Sequence, residues 1–193
     1  MMQHADNPLV TAALDLVSAL AEIGITPTFI GGVAVSLIAK PRYTDDLDAL
    51  IVFDPANADT LLDNLANHGF MSRFEGMAEL ARRSRMVTIV HENTETVVDI
   101  VLGCMPFEIE LQERAVSYGV AGVDIRIATP EDLVILKAVT NRPKDKEDIR
   151  NIAQICLGLD RNRIRYWVEQ FAELLETPGL LLGVESLLSG EAC

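Results

Sequence analysis

Two aspartates one residue apart, placed behind a glycine turn, constrain this chain more than any other feature. A short apolar run ends at Gly31-Gly32, and a second apolar run opens with Asp46-Leu47-Asp48. In a strand, residues i and i+2 point to the same face, so Asp46 and Asp48 converge while Leu47 faces a core. Two converging carboxylates repel each other unless a cation lies between them. A site built of oxygen ligands favours Mg²⁺ or Mn²⁺, which usually keeps waters and substrate phosphates as its remaining ligands.

The glycine turn adds a second element to this pattern. A helix that begins at Gly31-Gly32 would present free backbone N–H groups to a phosphate, although a Gly-Gly pair alone also fits an ordinary tight turn. Two metal-binding carboxylates next to a phosphate cradle indicate phosphoryl or nucleotidyl transfer.

The combined pattern resembles the nucleotidyltransferase superfamily to which DNA polymerase beta belongs. Its core motif is Gly-Gly or Gly-Ser, a short helix, and then Asp-apolar-Asp. The residues of this chain that stand where the motif puts them are Gly31, Gly32, Arg42, Thr44, Asp46 and Asp48. Many members carry Ser where Gly32 stands, so the family's serine contact to the triphosphate is absent here or supplied by the backbone. The resemblance implies binding of a nucleoside triphosphate, ATP included, at Gly31, Gly32, Arg42 and Thr44.

Asp99 is a candidate third carboxylate. It lies within the apolar run Val97 to Val101, and a buried carboxylate without a partner is costly. A salt bridge or an exposed edge position would satisfy it. In the resembling superfamily a third acid stands on the strand after the Asp-apolar-Asp strand. The resemblance therefore implies that Asp99 completes the metal site with Asp46 and Asp48, or acts as the general base for the attacking hydroxyl.

Lys137 is the one charge in the apolar helical run Leu133 to Val139. Such a helix is buried on most sides, which leaves three roles for the lysine. Its ammonium can snorkel to water, neutralise triphosphate charge, or orient a carboxylate. In the run that follows, Asp145 and Asp148 share one helix face, or serve as ordinary acids of a first helical turn.

These two segments narrow the resemblance to the bacterial AbiEii-type nucleotidyltransferases, which include toxins of toxin–antitoxin pairs. That group carries a helix lysine and an Arg-x-Lys-Asp-x-x-Asp run, as in Arg142 to Asp148 here. Lys137 and Asp145 match its functional lysine and aspartate. The resemblance implies that Lys137 takes part in catalysis, that Lys137 and Asp145 contribute to nucleotide binding, and that a cognate antitoxin protein is a partner.

The charge distribution leaves the acceptor of the reaction open. A net charge of −13 argues against general coating of nucleic acid. Residues 137–165 nevertheless hold eight basic and four acidic residues. This basic window is either a solvated helix face or a polyanion patch, which would suit an RNA 3′ end or tRNA. A cationic small molecule such as an aminoglycoside suits the acidic remainder, and a protein hydroxyl is a further option. A non-catalytic nucleotide-binding partner or antitoxin module is the alternative outside enzymology, supported by the absent Ser at position 32.

The patterns together predict an α/β (α+β) fold. We expect a nucleotidyltransferase core with a short mixed sheet and flanking helices at residues 1–128, and a helical C-terminal part packed on it at residues 129–193. Within the core, a hairpin is expected around Asn93-Thr94 and a single strand from Gly119 to Ala128. No apolar run has transmembrane length, and the N-terminus lacks the form of a signal peptide. We therefore expect a cytoplasmic protein without a membrane partner.

Overall fold

The segments of alternating apolar residues in the first two thirds of the chain form a mixed β-sheet. The structure, a computed structural model, describes residues 7–190, and seven strands lie within them. They are β1 (Thr28–Ile30), β2 (Asp46–Val52), β3 (Phe70–Ser72), β4 (Met86–His91), β5 (Thr96–Gly103), β6 (Val116–Val120) and β7 (Val123–Ile127). Their order in the sheet is β3-β4-β5-β2-β1-β7-β6. The pairs β2/β5 and β1/β7 are parallel and the other neighbours are antiparallel, so the predicted mixed sheet is confirmed.

Nine α-helices accompany these strands in the described part of the chain. They are α1 (Pro8–Ala21), α2 (Gly31–Ile38), α3 (Ala58–Asn67), α4 (Met77–Ser84), α5 (Pro106–Arg114), α6 (Pro130–Thr140), α7 (Pro143–Ile155), α8 (Arg161–Leu174) and α9 (Leu180–Ser189). A 3₁₀ turn, Pro55–Asn57, precedes α3. No helix within residues 7–190 is long and apolar enough to cross a membrane.

The chain forms two compact units. The first contains the described residues up to Val33 together with Tyr43–Ala128, and it holds the whole sheet. The second contains Ala34–Arg42 and the chain from Thr129 onward. Residues 1–6 and 191–193 of the predicted parts lie outside the described residues. The prediction that core and helical part form a single compact unit stays a prediction.

The core of the first unit lies on one face of the sheet. Leu47 and Ala49 of β2 and Val98 and Ile100 of β5 are fully buried, and α1 packs against both strands. Side chains alternate between the two faces of a strand. The predicted carboxylates alternate with these four residues along their strands and therefore point to the opposite face.

The second unit begins with a capped helix. The Thr129 side chain accepts a hydrogen bond from the backbone N–H of Asp132, and Pro130 takes the first helical position of α6. Leu133, Val134 and Ile135 are fully buried, and α6 packs against α7, α8 and α9. This burial on several sides is what an almost wholly apolar helix predicts.

One feature of the first unit differs from the prediction. The strand expected from Gly119 to Ala128 is a hairpin, in which β6 and β7 pair on either side of Ala121 and Gly122. Both turn residues have positive φ, +50° and +84°, as a two-residue hairpin turn requires. The turn has alanine where Asn or Asp usually precedes the glycine. Alanine rarely takes this conformation, so the sequence did not indicate a hairpin here. The hairpin expected around Asn93-Thr94 is confirmed as β4–β5.

Candidate active site

The carboxylates of β2 share one face of the sheet. Asp46 and Asp48 are both partly exposed, whereas Leu47 between them is fully buried. Asp48 lies opposite Ile30 of β1 on one side and opposite Asp99 of β5 on the other. The period of two therefore places these acids on the sheet face away from the core, as predicted.

Asp99 joins this face through strand pairing. In the parallel β2–β5 ladder its Cα partner is Asp48, and directly paired residues point to the same side of a sheet. On its other side Asp99 pairs with Thr88 of β4. The Thr88 hydroxyl donates a hydrogen bond of 2.6 Å to the Asp99 carboxylate. Asp99 is thus partly buried with a hydroxyl partner, and within residues 7–190 it forms none of the salt bridges that the sequence left open.

Asp46 has a matching hydroxyl partner. The Thr44 side chain donates a hydrogen bond of 2.6 Å to Asp46 Oδ1. Thr44 therefore orients a carboxylate through its hydroxyl, while its predicted contact to nucleotide stays a prediction. A hydroxyl donor carries no charge, so this hydrogen bond by itself does not neutralise the carboxylate.

The position of the Asp48 side chain requires glycine at residue 31. Its φ is +65°, a left-handed conformation that favours glycine. A Cβ atom at this position would lie 1.8 Å from Asp48 Oδ2 and 2.7 Å from Asp48 Cβ. The carboxylate therefore rests against the backbone at the first residue of α2, where only glycine leaves room for it. Gly32 follows as the second residue of the same helix.

The donor set of this face suits a hard divalent cation. Asp46, Asp48 and Asp99 provide only oxygen atoms, as Mg²⁺ and Mn²⁺ prefer, and two of the three are adjacent across the β2–β5 ladder. Within residues 7–190, no group of three or more His, Cys, Asp or Glu side chains is already arranged around a common metal position. Asp46 instead accepts from Thr44, and Asp99 accepts from Thr88. The residues fit Mg²⁺ by chemistry and strand position, and their side chains would have to reorient to bind it.

A second group of predicted residues forms a buried ionic cluster in the second unit. Lys137 of α6 is 5% exposed, and its Nζ lies 3.2 Å from Asp145 Oδ1 and 3.1 Å from Asp148 Oδ2. Both carboxylates belong to α7 and are fully buried or nearly so. Lys137 therefore does not snorkel to water. Of the three roles open to it, the structure supports orientation of carboxylates.

Two arginines complete the ionic cluster. Arg42 binds Asp148 with two parallel hydrogen bonds, of 2.9 Å and 3.0 Å. Arg142 binds Asp145 through its Nε at 2.7 Å. The cluster therefore joins three cations to two carboxylates. Asp148 and Arg142 were not among the predicted site residues, although the spacing of Asp145 and Asp148 had indicated a shared helix face.

The cluster keeps Asp145 ionised. Burial alone would raise the pKa of its carboxyl. Hydrogen bonds from Arg142, Thr140 and Lys137, with the charge of Lys137, outweigh burial and hold this pKa well below its usual range. A carboxylate that is already satisfied by fixed cations has little affinity left for a metal ion.

Most cations of the basic window are paired within the second unit. Besides the cluster, Arg163 binds the buried Asp132 at 2.8 Å. Arg165 pairs with Glu185 at 2.7 Å, and Arg150 with Glu147 at 3.5 Å. The positive charge of residues 137–165 is therefore largely neutralised inside the unit, and it is not a continuous polyanion patch.

Comparison with known proteins identifies the family. Residues 10–178 match the sequence family described as "Nucleotidyl transferase of unknown function (DUF2204)". The chain belongs to this family. The predicted enzyme class, a nucleotidyltransferase of the same superfamily, is thereby confirmed, while the AbiEii-type subgroup stays a prediction. No curated protein matches the chain in sequence.

Solved structures share the fold of this DUF2204 nucleotidyl transferase. An antigenic nucleotidyltransferase-like protein from Paracoccidioides brasiliensis is 16% identical, with 93% of each chain covered and a TM-score of 0.57. The antibiotic-resistance factor ANT(2″)-Ia is 14% identical over 87% of this chain and 93% of its own, with a TM-score of 0.61. The lincosamide antibiotic adenylyltransferase LnuA, bound to lincomycin, is 13% identical over 74% of this chain and 94% of its own, with a TM-score of 0.51. These likenesses confirm the predicted α/β fold class.

Proposed function

We propose that this DUF2204 protein transfers a nucleoside monophosphate from a nucleoside triphosphate to a hydroxyl acceptor and releases pyrophosphate. The observation that carries the proposal is the shared sheet face of Asp46, Asp48 and Asp99, at the edge where Gly31 opens α2. Asp46 and Asp48 are the metal ligands in this proposal. Asp99 is a third ligand or the general base.

In the proposed reaction the acceptor oxygen attacks the α-phosphorus. The new P–O bond forms as the bond from the α-phosphorus to the bridging oxygen breaks, and pyrophosphate leaves with that electron pair. Mg²⁺ bound by the carboxylates would neutralise charge on the phosphates. Asp99 is well suited to take the hydroxyl proton, because the Thr88 hydrogen bond fixes one of its oxygens at 2.6 Å and leaves the other for the acceptor. The backbone N–H groups at Gly31 and Gly32 are proposed to bind phosphate oxygens.

Calorimetry tests the nucleotide site directly. Each of the four nucleoside triphosphates, ATP first, is titrated into the protein with Mg²⁺, with Mn²⁺ and with chelator. We expect binding that depends on the metal and that is lost in Asp48→Asn. Equal affinity with chelator would refute the metal carboxylate assignment. Metal-dependent binding without turnover on any acceptor would instead support the non-catalytic binding module.

The RNA 3′ end, tRNA included, is the acceptor that we propose first. Its support is the basic window, in which the exposed Lys144 and Lys146 at the start of α7 have no salt bridge to the described residues. The toxin role and a cognate antitoxin rest on the AbiEii-type resemblance alone and are proposed as its consequence.

A small cationic acceptor is the second candidate. The observation that favours it is the internal pairing of Arg150, Arg163 and Arg165, which leaves few cations for a polyanion. The net charge of −13 also attracts cations. Among structures of similar fold, ANT(2″)-Ia has been solved in complex with adenylyl-2″-tobramycin, and LnuA with lincomycin.

The salt dependence of the Michaelis constant and one double variant distinguish the two acceptors. If RNA is the acceptor, Lys144→Gln with Lys146→Gln should raise the Michaelis constant for RNA and reduce its salt dependence. The control is Arg83→Gln on α4, an exposed arginine outside the basic window. An unchanged Michaelis constant for RNA, together with turnover of an aminoglycoside, would identify the acceptor as a small cation.

A further inference from the structure

A cavity of about 440 Å³ lies between α8 and α9 in the second unit. Small-molecule sites in proteins commonly measure about 300 to 1,000 Å³. None of the residues that line the cavity belongs to the carboxylate face or to the ionic cluster. They are Arg161, Ile164, Arg165, Leu181, Leu182, Val184, Glu185, Ser186, Leu188 and Ser189.

The walls of the cavity contain both apolar and charged side chains. Ile164, Val184 and Leu188 are buried and form apolar wall. Leu182 is 71% exposed although it lines the same space. An apolar group that entered the cavity would remove part of this leucine surface from water, which is favourable.

The cavity walls carry a net charge of +1. Arg165 is balanced by Glu185, whose carboxylate lies 2.7 Å from its guanidinium. Arg161 donates instead to the backbone carbonyl of Leu188 at 3.0 Å. No carboxylate of residues 7–190 forms a salt bridge with Arg161. The structure thus holds an arginine at an apolar cavity, bonded to a neutral oxygen, in a chain whose net charge is −13.

We propose that this cavity binds a small monocarboxylate with an apolar body, in which the carboxylate pairs with Arg161. A guanidinium presents donors that match the two oxygens of a carboxylate. A single negative charge balances the cavity walls, whereas a phosphate dianion would face Glu185 with excess charge. The apolar body of the ligand lies along Ile164 and Val184 and covers Leu182. The site is separate from the proposed nucleotide site, so it can be present whether or not the protein is a transferase.

Calorimetry with octanoate, octanol and octyl phosphate tests the proposal on the full chain. We expect saturable 1:1 binding of octanoate, and binding at least about tenfold weaker for octanol, which has the same body without the charge. Tighter binding of octyl phosphate than of octanoate would overturn the assignment of a carboxylate. No saturable binding of octanoate up to about 5 mM, near the affinity at which binding free energy is only about −3 to −4 kcal/mol, would overturn the site itself.

Two surface variants localise the ligand without endangering the fold. Arg161→Gln removes the charge and keeps a polar side chain, so octanoate binding should fall at least about tenfold. Its control is Arg150→Gln, an exposed arginine of α7 that does not line the cavity. Equal octanoate affinity in wild type and Arg161→Gln would overturn the proposal.

Leu182→Glu adds a negative charge at the cavity and should also weaken octanoate binding. Leu174→Glu is the matched control, because Leu174 is similarly exposed, at 65%, and lies outside the lining. Equal losses in both variants would indicate a general charge effect and would overturn the assigned location. Circular dichroism spectra of all four variants show whether each is folded.

Discussion

The two groups of predicted acids solve the same electrostatic problem in opposite ways. On the sheet, Asp46 and Asp99 are partly exposed and accept hydrogen bonds from the neutral hydroxyls of Thr44 and Thr88. Between α6 and α7, Asp145 and Asp148 are buried and are held by fixed cations. Close carboxylates need positive charge. The helical pair receives it from the chain itself, whereas Asp99 forms no salt bridge within residues 7–190, so an external cation could provide its positive charge.

This difference separates binding groups from positioning groups. A carboxylate whose partners are hydroxyls can exchange them for a metal ion at small cost. A carboxylate inside an ionic cluster cannot, because breaking a buried pair leaves an uncompensated charge. The contrast supports the proposal that the sheet face binds a cation, and Lys137 with its partners holds α6 and α7 together.

The largest expected effect is on turnover at the sheet face. Asp48→Asn and Asp46→Asn should each lower kcat by about 10³-fold or more, because the charge that would hold the cation is lost. The melting temperature of the metal-free protein should stay the same or rise, because repulsion between the acids is removed. Asp63→Asn on α3 serves as the exposed control. Turnover is measured by pyrophosphate release. Its retention in either site variant would contradict the proposed cation-binding role of the sheet face.

The largest expected effect on stability lies in the ionic cluster. Lys137→Met should lower the free energy of unfolding by about 3 to 5 kcal/mol, because two buried carboxylates lose a shared cation. Urea unfolding measures the change. The double variant Lys137→Met with Asp148→Asn should recover part of it. If Lys137→Met is as stable as wild type but slower in turnover, the lysine is a phosphate contact and the structural role assigned here is wrong.

Gly31→Ala tests the close approach of backbone and carboxylate. The new methyl group would meet Asp48 well inside contact distance, on a backbone with φ of +65°. We expect a loss of stability of about 1 to 3 kcal/mol and a fall in turnover, because Asp48 must move. Gly24→Ala is the control, since its φ is +73° and no heavy atom lies within 4 Å of the added Cβ. Equal effects in both variants would show that backbone conformation, and not Asp48, explains the glycine.

A smaller effect is expected at acidic pH. The pKa of Asp145 is lowered in the folded state, so its ionisation stabilises the fold above the ordinary pKa of an aspartate, about 3.9. This contribution is lost as the pH falls from about 4 toward the lowered pKa. Melting temperatures of wild type and Asp145→Asn should therefore converge on acidification. A constant difference between them from pH 7 to pH 2 would contradict the assignment.

The smallest effect is expected for the exposed pair of the basic window. Arg165 and Glu185 are 53% and 40% exposed, and solvent screens such pairs. Arg165→Gln should change the free energy of unfolding by less than about 0.5 kcal/mol. Urea unfolding in low and high salt provides the measurement. A loss near that of Lys137→Met would remove the contrast between buried and exposed pairs.

The sequence predicts the sheet face well because short-range rules decide it. The period of two places Asp46 and Asp48 together, whereas the place of Asp99 beside them was implied by the family resemblance. The direct pairing of Asp48 with Asp99 is not readable, because the register between β2 and β5 depends on distant backbone contacts. The contact between Thr88 and Asp99 likewise cannot be predicted before the register of β4 and β5 is known.

Burial of the charged cluster is harder to read from the sequence. An arginine at position 42 and an aspartate at position 148 are about a hundred residues apart, and no local spacing relates them. Among the strands, β3 has three residues and is too short for an alternation signal. The helix α5 was also unforeseen, although Pro106 takes its first helical position.

The order of the strands also governs when the sheet face can exist during synthesis. Asp48 and Asp99 are neighbours only through β2–β5 pairing, and about 50 residues separate them along the chain. A nascent chain that has released β1 and β2 can form their antiparallel pair, but the edge of β2 that receives β5 stays open until residues up to Gly103 have emerged. Pairing across such a long loop is slow. Pauses in translation soon after β5 should therefore favour folding, whereas fragments that end before β5 would expose an apolar strand edge to aggregation and chaperone binding.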